Sequence, residues 1–343
     1  MKNILVTGGA GFIGSAFVRH MVTTYPEYNI ITFDKLTYAG NLDNLLSVKD
    51  ASNHTFVQGD IADREAVRSA FEEHSVDTVV NFAAESHVDR SILDPNAFIM
   101  TDVVGVYALL EEARQIGVDR FLQVSTDEVY GDIEEGHFSL ETDHFLPNSP
   151  YAASKAGGEL MVRSYHITYG MDTVVTRGSN TYGPYQYPEK LIPFFITEAT
   201  DDRPLPVYGD GKQMRDWLHV EDHARGVALV LHKGEAGEAY NIAGEDLRHN
   251  IDVVHKMLEL LGKPESLIKY VRDREGHDRR YAMDAVKARK LGWERQYNFD
   301  TGLEETIKWY LDNEWWWRKI KSGEFLEYYK RQYGERIAAA EEE

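Results

Sequence analysis

Short β-branched runs alternate with helix-length segments through the first half of the chain, and this rhythm constrains the fold more than any other feature. A parallel sheet produces it, because each crossover between parallel strands needs room for a helix. Helices on both faces bury such strands, so the strands are apolar throughout. The six runs predicted as strands are 4–6, 30–33, 54–57, 78–82, 120–124 and 173–176. The predicted fold class is α/β, a Rossmann-like doubly wound parallel sheet.

A second, smaller lobe is predicted from the rest of the chain. The 343 residues exceed the usual size of a single domain. Beyond about residue 180, segments interrupted by Pro and Gly predict loops that build a substrate-binding lobe interleaved with the first domain. We therefore expect a first domain over 1–180, rejoined by about 214–245, a substrate lobe mainly over 181–330 and an acidic tail over 331–343.

Composition excludes several classes of function. A net charge of -20 disfavours binding to nucleic acid or to an anionic membrane surface. The thirteen histidines show no metal-ligand spacing, so no metal site is predicted. A chain without cysteine, in which a strand pattern begins at Lys2, is expected to be cytoplasmic rather than secreted. A small anionic ligand stays possible if cations such as Lys190, Arg215 and Arg274 converge in a cleft.

A glycine-rich turn joins the first predicted strand to a helical pattern. Residues 8–14, GGAGFIG, contain the G-x-G-x-x-G spacing that lets backbone N–H groups approach a pyrophosphate at a helix N-terminus. Asp34 ends the second strand, where a carboxylate would accept hydrogen bonds from a ribose. It favours NAD over NADP because it would repel a 2′-phosphate, although Lys35 could soften that repulsion. The alternative is a structural glycine turn beside a surface Asp.

Tyr151 and Lys155 are four residues apart and would share one face of a helix. A phenol with a pKa of about 10 is a poor base at neutral pH, but a nearby ammonium and a positive nicotinamide ring favour the phenolate. The pair could then take a proton from an alcohol as hydride leaves the same carbon. Chance pairs of this kind also occur on exposed helix faces.

The segment 125–131 follows the fifth strand and contains Thr126, Asp127 and Glu128. Open α/β sheets bind ligands at the carboxyl ends of their strands, so these side chains are candidates for the reaction site. Two adjacent carboxyls in a desolvated cleft cannot easily both ionise, which separates their pKa values. A solvated acidic turn is the alternative.

These motifs together resemble the extended short-chain dehydrogenase/reductase family and, within it, the nucleotide-sugar 4,6-dehydratases. The resemblance covers nearly the whole chain. The matching segments are 7–14, 34–41, 83–91, 125–131, 151–155, 179–186 and 215–220. Most occur across sugar-nucleotide enzymes, whereas residues 126–128 and 85–91 are far more specific to the dehydratases.

The resemblance implies conversion of dTDP-glucose to a 4-keto-6-deoxy sugar with NAD. Tyr151, supported by Lys155, would take the C4 hydroxyl proton, and Thr126 would bond the C4 oxygen. Glu128 would remove the C5 proton while protonated Asp127 donates to the departing C6 hydroxyl. The cofactor contacts implied are Gly8, Gly11, Phe12, Ile13, Gly14, Asp34, Lys35, Thr37, Asp60, Ile61, Ala83, Tyr151 and Lys155. A solvated turn is the alternative role for Asp60.

Substrate contacts and a homodimer are also implied by the resemblance. The dimer would pair helices over 104–116 and 151–169, although core packing explains their apolar stripes equally well. Two residues depart from the family pattern: Asp102 replaces an Asn, and Glu275 replaces a Pro. The substrate contacts implied are Glu85, Ser86, Asn180, Lys190, Leu191, Pro206, Tyr208, Arg215, Asn250, Arg274, His277 and Tyr281, of which His277 could instead be a surface turn residue.

Alternatives to the dehydratase stay open at this point. A UDP-sugar 4-epimerase or a decarboxylase of the same superfamily would not need the pair Asp127 and Glu128. A non-catalytic NAD-binding sensor is the alternative from another class, although such proteins should lose Tyr151 or Lys155.

Overall fold

The computed structural model describes residues 1–322, 325, 327, 330–334 and 336–337. The predicted acidic tail falls partly outside this set, since 335 and 338–343 are not among the described residues. Within the tail range, Gln332 and Tyr333 are buried.

The centre of the molecule is a seven-stranded parallel sheet that contains all six predicted strands. The strand order is β10-β6-β5-β4-β1-β2-β3, with strands numbered along the chain. Val, Ile, Leu and Phe side chains fill both faces, as expected of a sheet covered on both sides. The strands are β1 (Asn3–Thr7), β2 (Asn29–Asp34), β3 (His54–Gln58), β4 (Thr78–Asn81), β5 (Arg120–Thr126), β6 (Thr173–Gly178) and β10 (Ala239–Ile242).

Helices cover both faces of this sheet and continue into the second lobe. Local signals define several of their ends: the Ser149 side chain caps α6 by accepting a hydrogen bond from the Ala152 N–H, and Gly117 ends α5 with φ 81°. The described residues contain no helix that is both long enough and apolar enough to span a membrane. The helices are α1 (Phe12–Thr24), α2 (Arg64–Glu73), α3 (Val88–Leu93), α4 (Pro95–Phe98), α5 (Val106–Ile116), α6 (Pro150–Tyr169), α7 (Leu191–Thr200), α8 (Val220–Lys233), α9 (Asn250–Leu261), α10 (Val286–Leu291), α11 (Phe299–Asp312) and α12 (Glu314–Ile320).

One predicted helix differs from the structure at its beginning. The apolar periodicity predicts a helix over 104–116, whereas α5 begins at Val106 and continues a π-helical segment, Ile99–Gly105. A hydrophobic period of 3.6 residues does not reveal a single wider turn, which depends on packing against neighbouring elements.

The residues predicted to form the second lobe contain two further small sheets and a separate hydrophobic core. The core contains aromatic side chains from α7, α11 and α12, with Trp316 and Trp317 fully buried. In the region 214–245, α8 packs against α1, and β10 extends the central sheet beside β6. The assignment of segments to two domains stays a prediction. The strands of this lobe are β7 (Asn180–Tyr182), β9 (Met214–His219) and β11 (Leu247–His249) in one sheet, and β8 (Leu205–Tyr208) paired with β12 (Ile268–Val271).

A buried ion pair ties α6 to the central sheet. The Arg177 guanidinium on β6 donates to the Glu159 carboxylate on α6, and both side chains are only 5% exposed. Arg177 also donates to the Tyr130 hydroxyl at 2.5 Å, and that hydroxyl donates to the Asn241 side chain on β10 at 2.8 Å. This network holds α6 against the strands beside it, and α6 carries the predicted Tyr/Lys pair.

Breaking this ion pair is expected to destabilise the fold. Arg177→Met would leave the Glu159 carboxylate buried without its cation, which costs about 3 kcal/mol or more of unfolding free energy. Urea denaturation measures the loss, and Arg272→Met, which removes an exposed partner of Glu275, is the matched control with little expected effect. Equal midpoints for the two variants would contradict a stabilising role for the network.

Candidate active site

The glycine turn forms a cradle at the N-terminus of α1. Gly8 has φ 65°, and a Cβ there would lie 2.6 Å from the Ala83 backbone nitrogen. A Cβ on Gly14 would lie 2.2 Å from the Gly8 carbonyl oxygen. Gly11, the N-cap residue, offers no side chain to the first N–H groups of the helix. These N–H groups can therefore receive a phosphate, which fits the pyrophosphate of a dinucleotide.

Asp34 lies at the end of β2 beside this cradle. Its carboxylate is buried and accepts hydrogen bonds from the Ala10 N–H at 2.9 Å and the Leu36 N–H at 2.8 Å. Burial raises the pKa of Asp34 and the two backbone bonds lower it. Lys35 pairs with Asp60 at 2.6 Å, so its charge is directed away from the Asp34 carboxylate. This geometry favours a free ribose over a phosphorylated one.

The residues predicted to contact the cofactor all line one cleft, which has a volume of about 350 Å³. Gly40 also lines this cleft; it belongs to the matching segment 34–41 but was not among the predicted cofactor contacts. Gly40 would place a Cβ 2.7 Å from the Asp34 carboxylate, so it allows the loop after β2 to close over that side chain. The predicted cofactor contacts that line this cleft are Gly8, Gly11, Phe12, Ile13, Gly14, Asp34, Lys35, Thr37, Asp60, Ile61, Ala83, Tyr151 and Lys155.

The predicted reactive groups meet in the same cleft. β5 ends at Thr126, a 3-10 turn carries Asp127 and Glu128, and α6 brings Tyr151 and Lys155 from the other side. The Thr126 hydroxyl donates to an Asp127 carboxylate oxygen at 3.1 Å and accepts from the Glu128 N–H at 3.3 Å. The five groups predicted from two separate motifs therefore occupy one site.

The two carboxyls differ in their electrostatic surroundings. Burial and the nearby Glu128 raise the pKa of Asp127 well above its ordinary value. Asp127 Oδ2 is buried and has no hydrogen-bond partner in the described part of the chain. Desolvation also raises the pKa of Glu128, but the cations Arg274 and Lys190 oppose it. Asp127 is thus the more easily protonated carboxyl, and Glu128 the more easily ionised one.

Tyr151 and Lys155 are both buried. Burial raises the pKa of Tyr151 well above 10, Glu128 raises it further, and a hydrogen bond with Thr126 lowers it. Burial lowers the pKa of Lys155, whose ammonium donates to the Val124 carbonyl at 2.9 Å. The surrounding protein groups favour a neutral phenol, so a positive ring held beside Tyr151 would promote its ionisation.

A smaller cavity of about 150 Å³ adjoins the cleft and shares Glu128 with it. Glu85 and Ser86 line the larger cleft. Tyr281, also predicted to contact the substrate, is not among the residues that line the two cavities, but its hydroxyl lies 3.3 Å from Glu128 Oε2. The predicted substrate residues that line the smaller cavity are Asn180, Lys190, Leu191, Pro206, Tyr208, Arg215, Asn250, Arg274 and His277.

Arg215 is partly occupied by the protein itself. Its guanidinium stacks over the Tyr281 ring at 4.2 Å and donates to the carbonyls of Met214 and Asp278 at 2.8 and 2.9 Å. A guanidinium has five N–H donors, so donors remain for an anion in a fixed orientation. His277 bonds Asp273 at 2.6 Å inside the cavity, and burial lowers the pKa of His277 to about 4. The imidazole is therefore neutral at physiological pH.

Two buried carboxylates of this region were missed by the motif reasoning. Asp89 accepts hydrogen bonds from Tyr208 at 3.0 Å and Arg274 at 3.3 Å. Glu189 accepts from Arg90 at 2.9 Å and Tyr38 at 3.0 Å, joining the loop after β2 to the second lobe. Each of the two adjoins a predicted substrate segment, which was the available signal in the sequence. Their hydrogen-bond donors, however, are distant along the chain.

Glu275, which replaces a Pro of the family pattern, lies on the surface. The side chain is exposed and pairs with Arg272 at 3.1 Å. It is not among the residues that line the two cavities.

Comparisons with known proteins agree with this geometry. The family model described as GDP-mannose 4,6 dehydratase matches residues 5–306. The dTDP-glucose 4,6-dehydratase of Xanthomonas campestris pv. campestris (strain B100) is 50% identical over 344 residues, covering 95% of this chain and 97% of the relative. The chain belongs to the dTDP-glucose 4,6-dehydratase family. The resemblance stated from the sequence motifs is thereby confirmed.

Solved structures of family members and of their wider superfamily share the fold. DesIV, a dTDP-glucose 4,6-dehydratase from Streptomyces venezuelae solved with NAD and TYD bound, is 48% identical with a TM-score of 0.90, covering 93% of this chain and 100% of that one. The UDP-glucose 4-epimerase of Thermus thermophilus, solved with NAD, is 31% identical with a TM-score of 0.84, covering 91% and 99%. The predicted α/β fold is confirmed, and within the superfamily the sequence is nearer to the dehydratase.

Replacing Asp34 is expected to change the choice of dinucleotide. Asp34→Ser removes the ribose acceptor and the charge that repels a 2′-phosphate, so the ratio of NADP to NAD affinity should rise by about tenfold or more. Calorimetric titration of both dinucleotides measures the ratio. Asp50→Ser, at an exposed position, is the control, and an unchanged ratio in Asp34→Ser would refute the assignment.

Proposed function

We propose that this protein is a dTDP-glucose 4,6-dehydratase that uses NAD. The observation that carries the proposal is the convergence of Asp127 and Glu128 with Tyr151 and Lys155 in one cleft. The Tyr/Lys pair suits oxidation of a sugar alcohol, and the carboxyl pair suits loss of water. Membership of a family whose relatives carry this name supports the substrate assignment.

Oxidation at C4 comes first. The glycine cradle and Asp34 would hold NAD, which when bound would supply an acceptor for the C4 hydride and a donor for its return to C6. Tyr151 takes the C4 hydroxyl proton, and Thr126, which lines the same cleft, holds the C4 oxygen. The buried Lys155 ammonium stabilises the phenolate. The product of this step is a 4-keto sugar.

Elimination of water follows because the ketone acidifies the C5 proton. Glu128 removes that proton, since the cations around it favour its ionised form. Asp127 is protonated and donates to the departing C6 hydroxyl, which leaves as water. Hydride return to C6 and reprotonation of C5 complete the 4-keto-6-deoxy product. Different surroundings thus give two adjacent carboxyls opposite roles.

The diphosphate is the part of the substrate that this acidic protein can hold by charge. Arg215, Arg274 and Lys190 line the cavity beside Glu128. Burial lowers the pKa of Lys190, whose ammonium donates to the Ser86 carbonyl. A bound diphosphate would favour the charged form of this amine.

We also propose that the enzyme is a cytoplasmic homodimer. Neighbouring helices present large apolar side chains to solvent: Leu160 and Ile167 on α6 are 54% and 67% exposed, and Tyr107 on α5 is 39% exposed. Burying them against a second copy would form a two-fold helix-pair interface. A nucleotide-sugar substrate and NAD are cytoplasmic metabolites, which supports the location.

Product analysis with dTDP-glucose tests the function. We expect a 4-keto-6-deoxy product, lighter by one water, with solvent deuterium at C5. Glu128→Gln should lower its formation by about 10²- to 10⁴-fold while reduced cofactor still appears after mixing, because C4 oxidation does not need this base. Glu134→Gln, at an exposed position, is the control. An epimer formed without loss of water would instead identify an epimerase.

Sedimentation velocity tests the dimer. Leu160→Glu should shift the protein toward monomer, because a charge would be buried in the helix-pair interface. Leu311→Glu, at an exposed position on α11, should leave the assembly unchanged. A wild-type protein that sediments as a monomer would refute the proposal.

A further inference from the structure

The π-helical segment Ile99–Gly105 lies directly against the helix that carries the Tyr/Lys pair. Two glycines of α6 allow this approach. A Cβ on Gly158 would lie 2.3 Å from the Asp102 carbonyl oxygen, and one on Gly157 would lie 3.1 Å from Val103 Cγ2. Single π turns within helices are rare and often occur at functional sites. The contact places the Asp102 side chain beside the buried face of α6.

The Asp102 carboxyl is held from both sides of the cleft. It is 1% exposed. Its Oδ2 accepts a hydrogen bond from the Ser154 hydroxyl on α6 at 2.6 Å, and its Oδ1 accepts from the Glu85 N–H at 3.1 Å. Ser154 precedes Lys155, and Glu85 belongs to the loop that lines the cleft after β4. A neutral amide at this position could form similar hydrogen bonds, so what the carboxyl adds is negative charge.

That charge acts on both members of the Tyr/Lys pair. Asp102 raises the pKa of Lys155, opposing the larger lowering caused by burial. It raises the pKa of Tyr151 in addition to burial and Glu128. Burial raises the pKa of Asp102 itself to about 6, while Lys155, the Ser154 hydroxyl and a backbone N–H lower it. Asp102 is therefore largely ionised at neutral pH.

We propose that Asp102 is a positioning residue whose buried charge keeps Lys155 protonated and sets the pH range in which Tyr151 acts as the base. The inference rests on the proposed function, because that function assigns the base to Tyr151. Asp102 makes no contact with substrate in this scheme. It acts through Tyr151 and Lys155, because its negative charge raises the pH at which each of them loses its proton.

Other ionisable groups also lie near Asp102, Tyr151 and Lys155. On α6, Glu159 raises the pKa of Lys155 as Asp102 does. In the loop after β4, burial and then Asp102 raise the pKa of Glu85 to about 7. The remaining charged neighbours are Asp127 and Glu128, which face Tyr151, and Arg90, Glu189 and Lys35, which face Glu85. Asp102→Asn removes the Asp102 charge and leaves all of these side chains in place.

The pH profile of kcat/KM for Asp102→Asn tests the proposal. Without the carboxylate, Tyr151 loses its proton at lower pH, so the acid limb should move down by about one pH unit. Lys155 also loses its proton at lower pH, so the alkaline limb should move in the same direction. Glu112→Gln, which alters a buried carboxylate bonded to Arg64 and Arg68 away from the cleft, should leave both limbs in place.

A direct titration provides a readout that does not depend on turnover. Ultraviolet absorbance of the phenolate in the NAD-bound protein, taken as the difference between a protein and its Tyr151→Phe counterpart, reports the ionisation of Tyr151. We expect its midpoint in Asp102→Asn to lie about one pH unit below that of the wild type. Ser154→Ala weakens the bond that keeps Asp102 ionised, so it should move the midpoint in the same direction by less. If circular dichroism shows that Asp102→Asn is unfolded, the midpoint measured for Ser154→Ala tests the proposal instead.

The outcomes separate the two proposals. If a folded Asp102→Asn variant has the same pH profile of kcat/KM and the same phenolate midpoint as the wild type, the role of Asp102 is overturned. The proposed dehydratase function would not be affected by that result. Activity lowered equally at every pH would also overturn it, because that result indicates a purely structural residue. Failure of the wild type to convert dTDP-glucose would overturn the proposed function, whereas the phenolate titration would still report on Asp102.

Discussion

The hydrogen bond from the Lys155 ammonium to the Val124 carbonyl is the interaction on which the rest of the site depends. It joins α6 to β5 at the point where the strand delivers Thr126 and the two carboxyls. Because the ammonium is buried, losing this acceptor would leave a cation without adequate solvation. The same bond therefore stabilises the helix position and fixes the distance between redox and elimination groups.

Burial gives the site its chemistry as well as its shape. Water would reduce the differences between the pKa values of neighbouring acids. In a desolvated cleft, nearby charges make those pKa values differ. The cations around Glu128 and the sheltered position of Asp127 are placed by the second lobe and by the turn after β5. The difference between the two carboxyls thus depends on cations beyond residue 180, such as Lys190 and Arg274, and not only on the motif that contains the carboxyls.

Much of this arrangement was predictable because its signals are local. Strand runs, the glycine turn before α1 and the spacing of Tyr151 and Lys155 depend on backbone geometry within a few residues. The close packing of the π-helical segment against α6 was not predictable, because the two glycines that allow it lie about fifty residues further along the chain. The hydrogen bonds of the buried carboxylates Asp89 and Glu189 were not predicted for the same reason, since their partners come from distant segments.

The sequence by itself determined the doubly wound sheet, the glycine turn before α1 and which side chains are candidates for the reaction. Hydrophobic period, glycine placement and residue chemistry are carried by short stretches of chain, so they can be read before folding. Tertiary structure alone decided which carboxyl is the more easily protonated, which donors of Arg215 are already used and which charge lies beside Lys155. Ionisation depends on desolvation and on distances between segments far apart in the chain, and only the folded molecule sets those quantities.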